Sequence, residues 1–352
     1  MNSKEIGPDK TIKQCDLIVT DKCFLHCKMC YMWKNKEENG MLTVKDHQNF
    51  IASLKEFAGN DIQIQFVGGE PLLKKGIIEL IEYTTKQGFS TTMTTNGFLF
   101  NAENRERIAN SGLNSLVFSL ESLKQKTHDF LRGQKGVHKR IMETIEYFET
   151  RENCKAEIFI ASIIMNDNLG DILELTEWVN GKKRISSVYF QAIMQPFGSD
   201  ADNYWYESKD YRFLWPDIDI IDNILDELIR LKIRGYKIAN QIPQLQVYKS
   251  YFRNPQRFIK KSKCSLGYKS FTVLSNGDIY LCLSMPSIGN IKTDKMDKLW
   301  FSEKANRIRQ QIASCRQNCK LLINCFFEEE ACVNTQPLSL RKDFRNGAKK
   351  TA

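Results

Sequence analysis

The sequence predicts an α/β fold, a partial (β/α)6 TIM-like barrel followed by a small cysteine-rich C-terminal domain. Between Cys15 and Phe190, short apolar and β-branched runs alternate with longer amphipathic stretches, a pattern typical of parallel strands joined by helical crossovers. Ten of the eleven cysteines fall into two groups, one near each end of the chain. A barrel that begins with one group and a separate small domain that holds the other account for both observations.

The predicted barrel contains six strand–helix units. Its strands are predicted at Asp16–Thr20, Ile62–Val67, Ser90–Thr94, Ser115–Leu120, Glu157–Ile164 and Ser187–Ala192. The helices between them are predicted at Val44–Phe57, Gly76–Gln87, Ala102–Ser111, Lys139–Glu149 and Asp171–Asn180. Six units fit an incomplete barrel, and the ligand site of such a fold lies at the carboxyl ends of the strands.

The composition changes after the sixth strand. Pro196–Trp215 is polar and aromatic, a helix is predicted at Ile220–Leu231, and the chain is expected to be irregular as far as Lys263. Asn276-Gly277 predicts a tight hairpin between two short strands, Lys269–Val273 and Asp278–Leu283, and one helix is predicted at Met296–Ser314. We therefore divide the chain into a barrel core at 1–205, a helical connecting segment at 206–262, a cysteine-rich domain at 263–335 and a basic, flexible tail at 336–352.

The composition excludes several classes of protein. Hydrophobic residues make up 42% and charged residues 26% of the 352 residues, as in globular proteins with a sizeable core. The longest apolar runs are too short to cross a bilayer, and the N-terminus has no apolar signal region, so we expect a cytoplasmic protein without a membrane partner. The net charge of +9 is spread along the chain without an aromatic-plus-basic motif, which favours a solvated surface over nucleic-acid binding.

The cysteine usage indicates metal or redox chemistry. In a long cytoplasmic chain, clustered cysteines point to metal sites more than to disulfides. Cys154 stands alone between the two groups. It precedes a strand at the end away from the predicted site, so a structural role is favoured over a chemical one.

Three cysteines follow the first strand directly. Cys23, Cys27 and Cys30 are separated by three and two residues, a spacing that lets three thiolates reach one cluster. A [4Fe–4S] cluster takes four ligands, so three protein thiolates leave one iron open for an outside molecule. The alternative is a zinc site with His26 as fourth ligand, although a histidine adjacent to Cys27 is poorly placed for the same tetrahedral ion.

A glycine turn follows the second strand. Gly68 and Gly69 permit unusual backbone dihedrals and a close approach of the backbone to a ligand. The strand-end carbonyl groups and the Glu70 carboxylate offer acceptors for an ammonium group. Next to a loop with three cysteines, this turn predicts a binding site for a small molecule.

Together these motifs resemble the radical S-adenosylmethionine (radical SAM) superfamily over Cys15 to Phe190. The three cysteines match its signature, with Met29 in the bulky position beside the last of them, and Gly68-Gly69-Glu70-Pro71 match the turn that holds the methionine amino group. Weaker matches occur at Thr95-Asn96-Gly97, at Ser119 on the fourth strand, and at His128-Asp129 with Arg132-Gly133. The resemblance implies that the cofactor-binding residues are Met29, Gly68, Gly69, Glu70, Pro71, Asn96, Ser119 and Arg132.

The C-terminal cysteines resemble the auxiliary-cluster region called SPASM, or its shorter relative called twitch. The matching cysteines are Cys264, Cys282, Cys315, Cys319, Cys325 and Cys332. The gaps after Cys315 and Cys325 are wider than in the full SPASM pattern, and one further downstream cysteine is missing. The resemblance implies at least one auxiliary [4Fe–4S] cluster that includes Cys264 and Cys282, with the remaining ligands left open. A structural zinc ribbon is the alternative.

The resemblance also implies an activity. S-adenosylmethionine would be cleaved reductively to a 5′-deoxyadenosyl radical that abstracts hydrogen from a substrate, with electrons from an external flavodoxin- or ferredoxin-type reductant. The substrate is expected to be a ribosomally made peptide or a small molecule such as an aminosugar. The first strand begins near Cys15, so we expect no preceding peptide-recognition domain. Tyr189, Gln191 and Gln195 are candidate pocket residues. A non-catalytic electron carrier or zinc-stabilised module is the alternative from another class.

Overall fold

A nine-stranded sheet forms the centre of the molecule. The computed structural model describes residues 12–34, 40–151, 154–199, 202–257 and 264–318. Within these residues the strand order is β6-β5-β4-β3-β2-β1-β7-β8-β9. The strands are β1 Gln14–Thr20, β2 Gln63–Gly68, β3 Ser90–Thr95, β4 Ser115–Ser119, β5 Glu157–Ile164, β6 Ile185–Ala192, β7 Ser270–Val273, β8 Asp278–Tyr280 and β9 Gly289–Asn290.

Ten α-helices in the described residues accompany the sheet. They are α1 Val44–Ala58, α2 Ile77–Lys86, α3 Ala102–Asn110, α4 Gln125–Arg132, α5 Val137–Thr150, α6 Ile172–Gly181, α7 Ile218–Ile233, α8 Ile242–Arg253, α9 Met296–Trp300 and α10 Glu303–Ser314. Searched over the same residues, no helix has the length and apolar character needed to span a bilayer.

The predicted six-stranded partial barrel is confirmed. Strands β1 to β6 pair in sequence order, and every pairing is parallel. Helices cover the strands, and most side chains of β4 and β5 are buried. Parallel pairing places all six carboxyl ends at one edge of the sheet, and the loops that follow the strands meet there.

The sheet continues into the cysteine-rich C-terminal region. Strand β7 pairs in parallel with β1, and β8 and β9 add antiparallel strands beyond it. Asn276-Gly277 lies in the turn between β7 and β8, where Gly277 takes a φ of +98° that favours glycine. The pairing of β7 with β1 has no local signature in the sequence. The division of the chain into four parts stays a prediction.

Two helices were not expected from the sequence, and one expected helix is broken. Helix α8 lies where irregular chain was predicted, and α4 carries the His-Asp and Arg-Gly motifs. In α8, Pro243 lies in the first turn, where its missing N–H is tolerated, and Leu245, Tyr248 and Phe252 are buried along one face. The predicted helix Met296–Ser314 divides into α9 and α10 because the Ser302 side chain caps α10 by accepting from the Ala305 amide at 3.1 Å.

We expect Phe271→Ala in β7 to lower the free energy of unfolding by about 3–5 kcal/mol. The Phe271 ring is buried and packs against Phe50 of α1 and Trp300 of α9, so truncation opens a cavity between the barrel and the C-terminal region. Urea unfolding followed by circular dichroism measures the change. Phe213→Ala, at a ring that is 39% exposed, is the control and should change the value by no more than about 0.5 kcal/mol.

Candidate active site

Cys23, Cys27 and Cys30 line one cavity at the carboxyl edge of the sheet. The cavity encloses about 160 Å³. Strands β2, β3 and β4 contribute their last residues to its wall, and the cysteine loop contributes the opposite side. The other lining residues are Leu25, Met32, Trp33, Val67, Gly68, Gly69, Thr94, Thr95, Asn96, Ser119 and Arg132. The structure therefore brings the three predicted cysteines together with five of the predicted cofactor-binding residues, Gly68, Gly69, Asn96, Ser119 and Arg132.

The glycine turn after β2 packs directly against the backbone of the cysteine loop. The Gly69 amide donates to the Thr20 carbonyl at 2.9 Å, and the Glu70 amide donates to the Lys22 carbonyl at 2.8 Å. A Cβ atom on Gly69 would lie only 2.0 Å from the Lys22 carbonyl oxygen. The prediction that the glycines allow a ligand to approach stays a prediction. The contacts add a second reason for glycine here, which is the close approach of two protein loops.

The other side of the cysteine loop is held by α4 and by the loop that follows β6. Gly133 takes a φ of +66°, and a Cβ atom there would lie 2.2 Å from the His26 carbonyl oxygen. The Lys28 amide donates to the Leu131 carbonyl at 2.9 Å, and the Tyr31 amide donates to the Phe197 carbonyl at 2.8 Å. Backbone contacts from three elements thus fix the path of the loop.

Glu70 joins the ends of β2 and β3 below the cavity. Its carboxylate is fully buried and accepts hydrogen bonds from the Leu72 amide at 3.2 Å, the Thr95 hydroxyl at 2.8 Å and the Asn96 amide at 2.9 Å. Burial raises the pKa of Glu70 to about 7, against the opposing effect of these donors. Its predicted contact with an ammonium group stays a prediction.

The remaining predicted cofactor residues lie in different positions around the cavity. The side-chain nitrogen Nδ2 of Asn96 lies 4.0 Å from the Cys23 sulfur. Ser119 is the last residue of β4. Met29 is buried in the core, and Pro71 begins a 3₁₀ helix at Pro71–Leu73. Their roles toward a cofactor stay predictions.

Arg132 connects the cavity to a buried carboxylate that the sequence reasoning missed. Its guanidinium forms an ion pair with Glu121, whose side chain is completely buried, and its Nη1 lies 3.9 Å from the Cys27 sulfur. The Cys27 thiol in turn lies 3.6 Å from the Arg132 carbonyl oxygen. The sequence contained one signal for this ion pair. Glu121 lies just beyond a strand end, eleven positions before Arg132 of the recurrent motif.

The thiols fit a metal cluster. Burial raises the pKa of Cys23 to about 11 and also raises the pKa values of Cys27 and Cys30, while the Arg132 charge lowers that of Cys27. Thiolates are therefore unfavourable here until a cation compensates their charge. Arg132 Nε is buried without a hydrogen bond to any described residue, which leaves a donor for a bound group.

His26, the fourth ligand of the zinc alternative, is not among the described residues that line the cysteine cavity. The exposed His26 ring packs on Trp33 with 4.4 Å between ring centroids. No three metal-ligating side chains in the described part of the chain converge on a single ion. A [4Fe–4S] cluster needs its ligands spread around a larger group, so the three separated thiols suit a cluster better than one ion.

The described C-terminal cysteines also lie near one another. Cys264 is buried, and Cys282 and Cys315 are partly buried. Burial raises the pKa of the Cys282 thiol, and the charges of Cys264 and Cys315 raise it further. Cys319, Cys325 and Cys332 lie outside the described residues, so the ligand set of an auxiliary cluster stays a prediction.

The other candidate residues have partners of their own. The Tyr189 hydroxyl accepts from Gln244 at 2.8 Å, and Gln195 donates to the Ser199 hydroxyl at 3.0 Å, while Gln191 lies on β6. Cys154 is buried before β5, at the sheet edge opposite the cavity. That position supports the structural interpretation of Cys154.

Two family profiles match the chain. The Radical SAM superfamily profile matches residues 17–179, and the SPASM profile, described as an iron–sulfur cluster-binding domain, matches residues 264–325. Together they imply a [4Fe–4S] cluster, S-adenosylmethionine and auxiliary iron–sulfur clusters. The first match contains the three cysteines of the cavity, and the second contains Cys264, Cys282 and Cys315.

Similar proteins agree with these profiles. An uncharacterized protein of Methanocaldococcus jannaschii is 25% identical over 82% of this chain and 92% of its own length. An AdoMet-dependent heme synthase of Oleidesulfovibrio alaskensis is 31% identical, but the match covers 45% of this chain and 41% of the synthase. The Bacillus subtilis subtilosin biosynthesis protein AlbA is 22% identical over 83% of this chain and 60% of its length. Streptococcus suis SuiB bound to S-adenosylmethionine shares the fold, with a TM-score of 0.64 at 18% identity, over 85% of this chain and 68% of SuiB.

We expect Gly69→Ala to reduce iron binding because the new Cβ atom would displace the Lys22 carbonyl and the cysteine loop with it. Iron content after anaerobic reconstitution measures the loss. Gly170→Ala is the matched control, since nothing lies within 4 Å of a Cβ atom there. Equal iron content in the two variants would contradict the proposed packing role.

We expect the iron-free protein to bind ferrous iron more tightly as the pH rises from about 7 to 9. Cys23, with a pKa of about 11, is protonated at neutral pH, and iron must displace that proton. Each such thiol adds up to about tenfold in affinity per pH unit. Competition with a chelator measures the slope, which should become shallower in Cys23→Ala. A slope that is unchanged by that substitution would contradict the assignment of Cys23 as a ligand.

Proposed function

This chain is a radical SAM enzyme with a SPASM domain, and we propose that it modifies a ribosomally made peptide. The proposal rests first on a single observation, a cavity at the carboxyl edge of a partial barrel that is lined by three thiols. Three thiols leave one iron of a [4Fe–4S] cluster without a protein ligand. Electron carriers and structural zinc sites do not need such an open position, so the arrangement favours an enzyme.

The residues of this chain supply the binding site and its environment. Cys23, Cys27 and Cys30 would hold the cluster, which would supply the one-electron reduction of S-adenosylmethionine that leads to hydrogen abstraction from the substrate, with the electron coming from an external reductant. Asn96, Ser119 and Arg132 offer hydrogen-bond donors on the cavity wall toward the cofactor. The buried strand ends beneath them keep bulk water from the reacting atoms.

A peptide substrate is supported by the names of several relatives. AlbA takes part in subtilosin biosynthesis, and other matching proteins are a PqqA peptide cyclase and the sporulation killing factor maturation protein SkfB. The mouth of the cavity also suits a polypeptide. Trp33 lines the cavity, and the Tyr31 ring packs near the rings of Trp33 and Tyr211. Phe197, which is half-exposed, forms a parallel backbone β-bridge with Cys30. Aromatic side chains of this kind bind extended chains well.

A porphyrin substrate is the second candidate. It is favoured by an AdoMet-dependent heme synthase of Methanosarcina barkeri, whose match covers 82% of this chain and 82% of the synthase. The aminosugar substrate considered from the sequence stays a prediction. We propose a flavodoxin- or ferredoxin-type protein as the reductant and a cytoplasmic location, as the sequence predicted.

We expect the anaerobically reconstituted enzyme with dithionite to form 5′-deoxyadenosine from S-adenosylmethionine. Cys27→Ala should abolish this activity because the cluster loses a ligand, whereas Cys154→Ala, a buried cysteine away from the cavity, should retain it. Chromatography with mass detection measures the product. A fully loaded wild-type protein that forms no 5′-deoxyadenosine would refute the radical SAM function.

The same assay separates the two substrate classes. Short peptides encoded beside the gene and iron coproporphyrin are added in parallel, and the true substrate should raise the rate of 5′-deoxyadenosine formation and undergo a mass change. Turnover of the porphyrin alone would replace the peptide proposal with the second candidate.

A further inference from the structure

We propose that Glu121 is a positioning residue that holds the Arg132 guanidinium against the Cys27 sulfur and thereby sets the reduction potential of the cluster. The inference rests on the proposed function, because it requires a cluster on Cys27. It assigns a role to a residue that has no place in the cysteine or glycine motifs.

Glu121 is anchored by elements on every side. Its carboxylate accepts from the Ile163 amide of β5 at 2.7 Å and from the Ser162 hydroxyl at 3.4 Å. Its backbone amide donates to His128 Nδ1 at 3.1 Å, and its carbonyl accepts from Asn168 at 2.9 Å. A side chain with no exposed surface and this many partners has one available position.

Arg132 takes its position from this anchored carboxylate. The arginine side chain is only 11% exposed, and Nη2 donates to Glu121 while Nη1 is directed at the Cys27 sulfur at 3.9 Å. A guanidinium presents its donors in a rigid planar fork, so fixing one nitrogen restricts the others. In the described residues, Glu121 is the one carboxylate paired with Arg132.

The consequence for a cluster is electrostatic. Hydrogen bonds to the sulfurs of an iron–sulfur cluster help to set its potential. Reduction adds negative charge, so a donor and a positive charge beside the Cys27 sulfur stabilise the reduced state and raise the potential. Glu121 acts through Arg132, since its own negative charge would have the opposite effect.

The two possible roles of Glu121 predict shifts of the reduction potential in opposite directions, so one measurement distinguishes them. If Glu121 only supplies charge, Glu121→Gln removes a negative charge near the cluster and raises the potential. If Glu121 positions Arg132, the same substitution frees the guanidinium from Cys27 and lowers the potential. Redox titration followed by electron paramagnetic resonance measures it, using the signal that changes when S-adenosylmethionine is added, because that signal belongs to the cluster with the open iron.

We expect Glu121→Gln to lower the potential of this signal and to lower the apparent affinity for iron by about 10–100-fold, because Arg132 then loses its fixed position beside the Cys27 ligand. The variant Glu121→Gln/Arg132→Gln, which removes both charges and leaves neither partner unpaired, should show the same lowered potential. Glu143→Gln is the control, since Glu143 pairs with Arg105 on the surface and is 39% exposed.

A raised or unchanged potential in Glu121→Gln would overturn the positioning role, as would a double variant with the wild-type potential. Melting temperatures and circular dichroism of each variant separate a shift of potential from loss of the fold. If the wild-type enzyme gave no signal sensitive to S-adenosylmethionine, the proposed function would fail and this inference with it. A retained wild-type signal with the wrong sign in the variants would refute the inference alone.

Discussion

The close packing of three backbone segments around the cysteine loop is the constraint on which the site depends. Gly69 on one side and Gly133 on the other lie so near the loop that a Cβ atom at either position would overlap a carbonyl oxygen. Each segment also donates or accepts backbone hydrogen bonds there. The cysteine loop has no regular secondary structure, yet this packing holds its backbone in place. A site that binds a cluster needs its ligands held in this way.

The motifs that form this site lie far apart along the chain and are brought together by the fold. The glycine turn follows β2, the Arg-Gly pair ends α4, and the cysteines follow β1, yet all meet because parallel strands deliver their carboxyl ends to one edge. The buried Glu121–Arg132 pair adds a charged link from β5 to Cys27. Removing one member of such a pair is costly, because the other is left as an unpaired buried charge.

The C-terminal region is built on the barrel rather than beside it. Because β7 pairs with β1, the strand that leads into the cysteine loop also borders the hairpin before Cys282. The Ser275 hydroxyl donates to Asp21 in the segment between β1 and the cysteines. The two cysteine regions are thus joined through the paired strands β1 and β7.

Local patterns in the amino-acid chain suffice to predict the six parallel strands, the three-cysteine loop and the glycine turn, because each rests on an apolar period, a spacing or a set of turn residues. These patterns did not predict α8, the break between α9 and α10, the addition of β7 to the barrel sheet, or the role of Glu121. Those features depend on burial and pairing between residues far apart in the chain, such as Gln14 with Ser270 and Glu121 with Ile163. They become visible only in the folded molecule, because a strand partner or a buried counter-ion leaves no periodic signal in the segment that receives it.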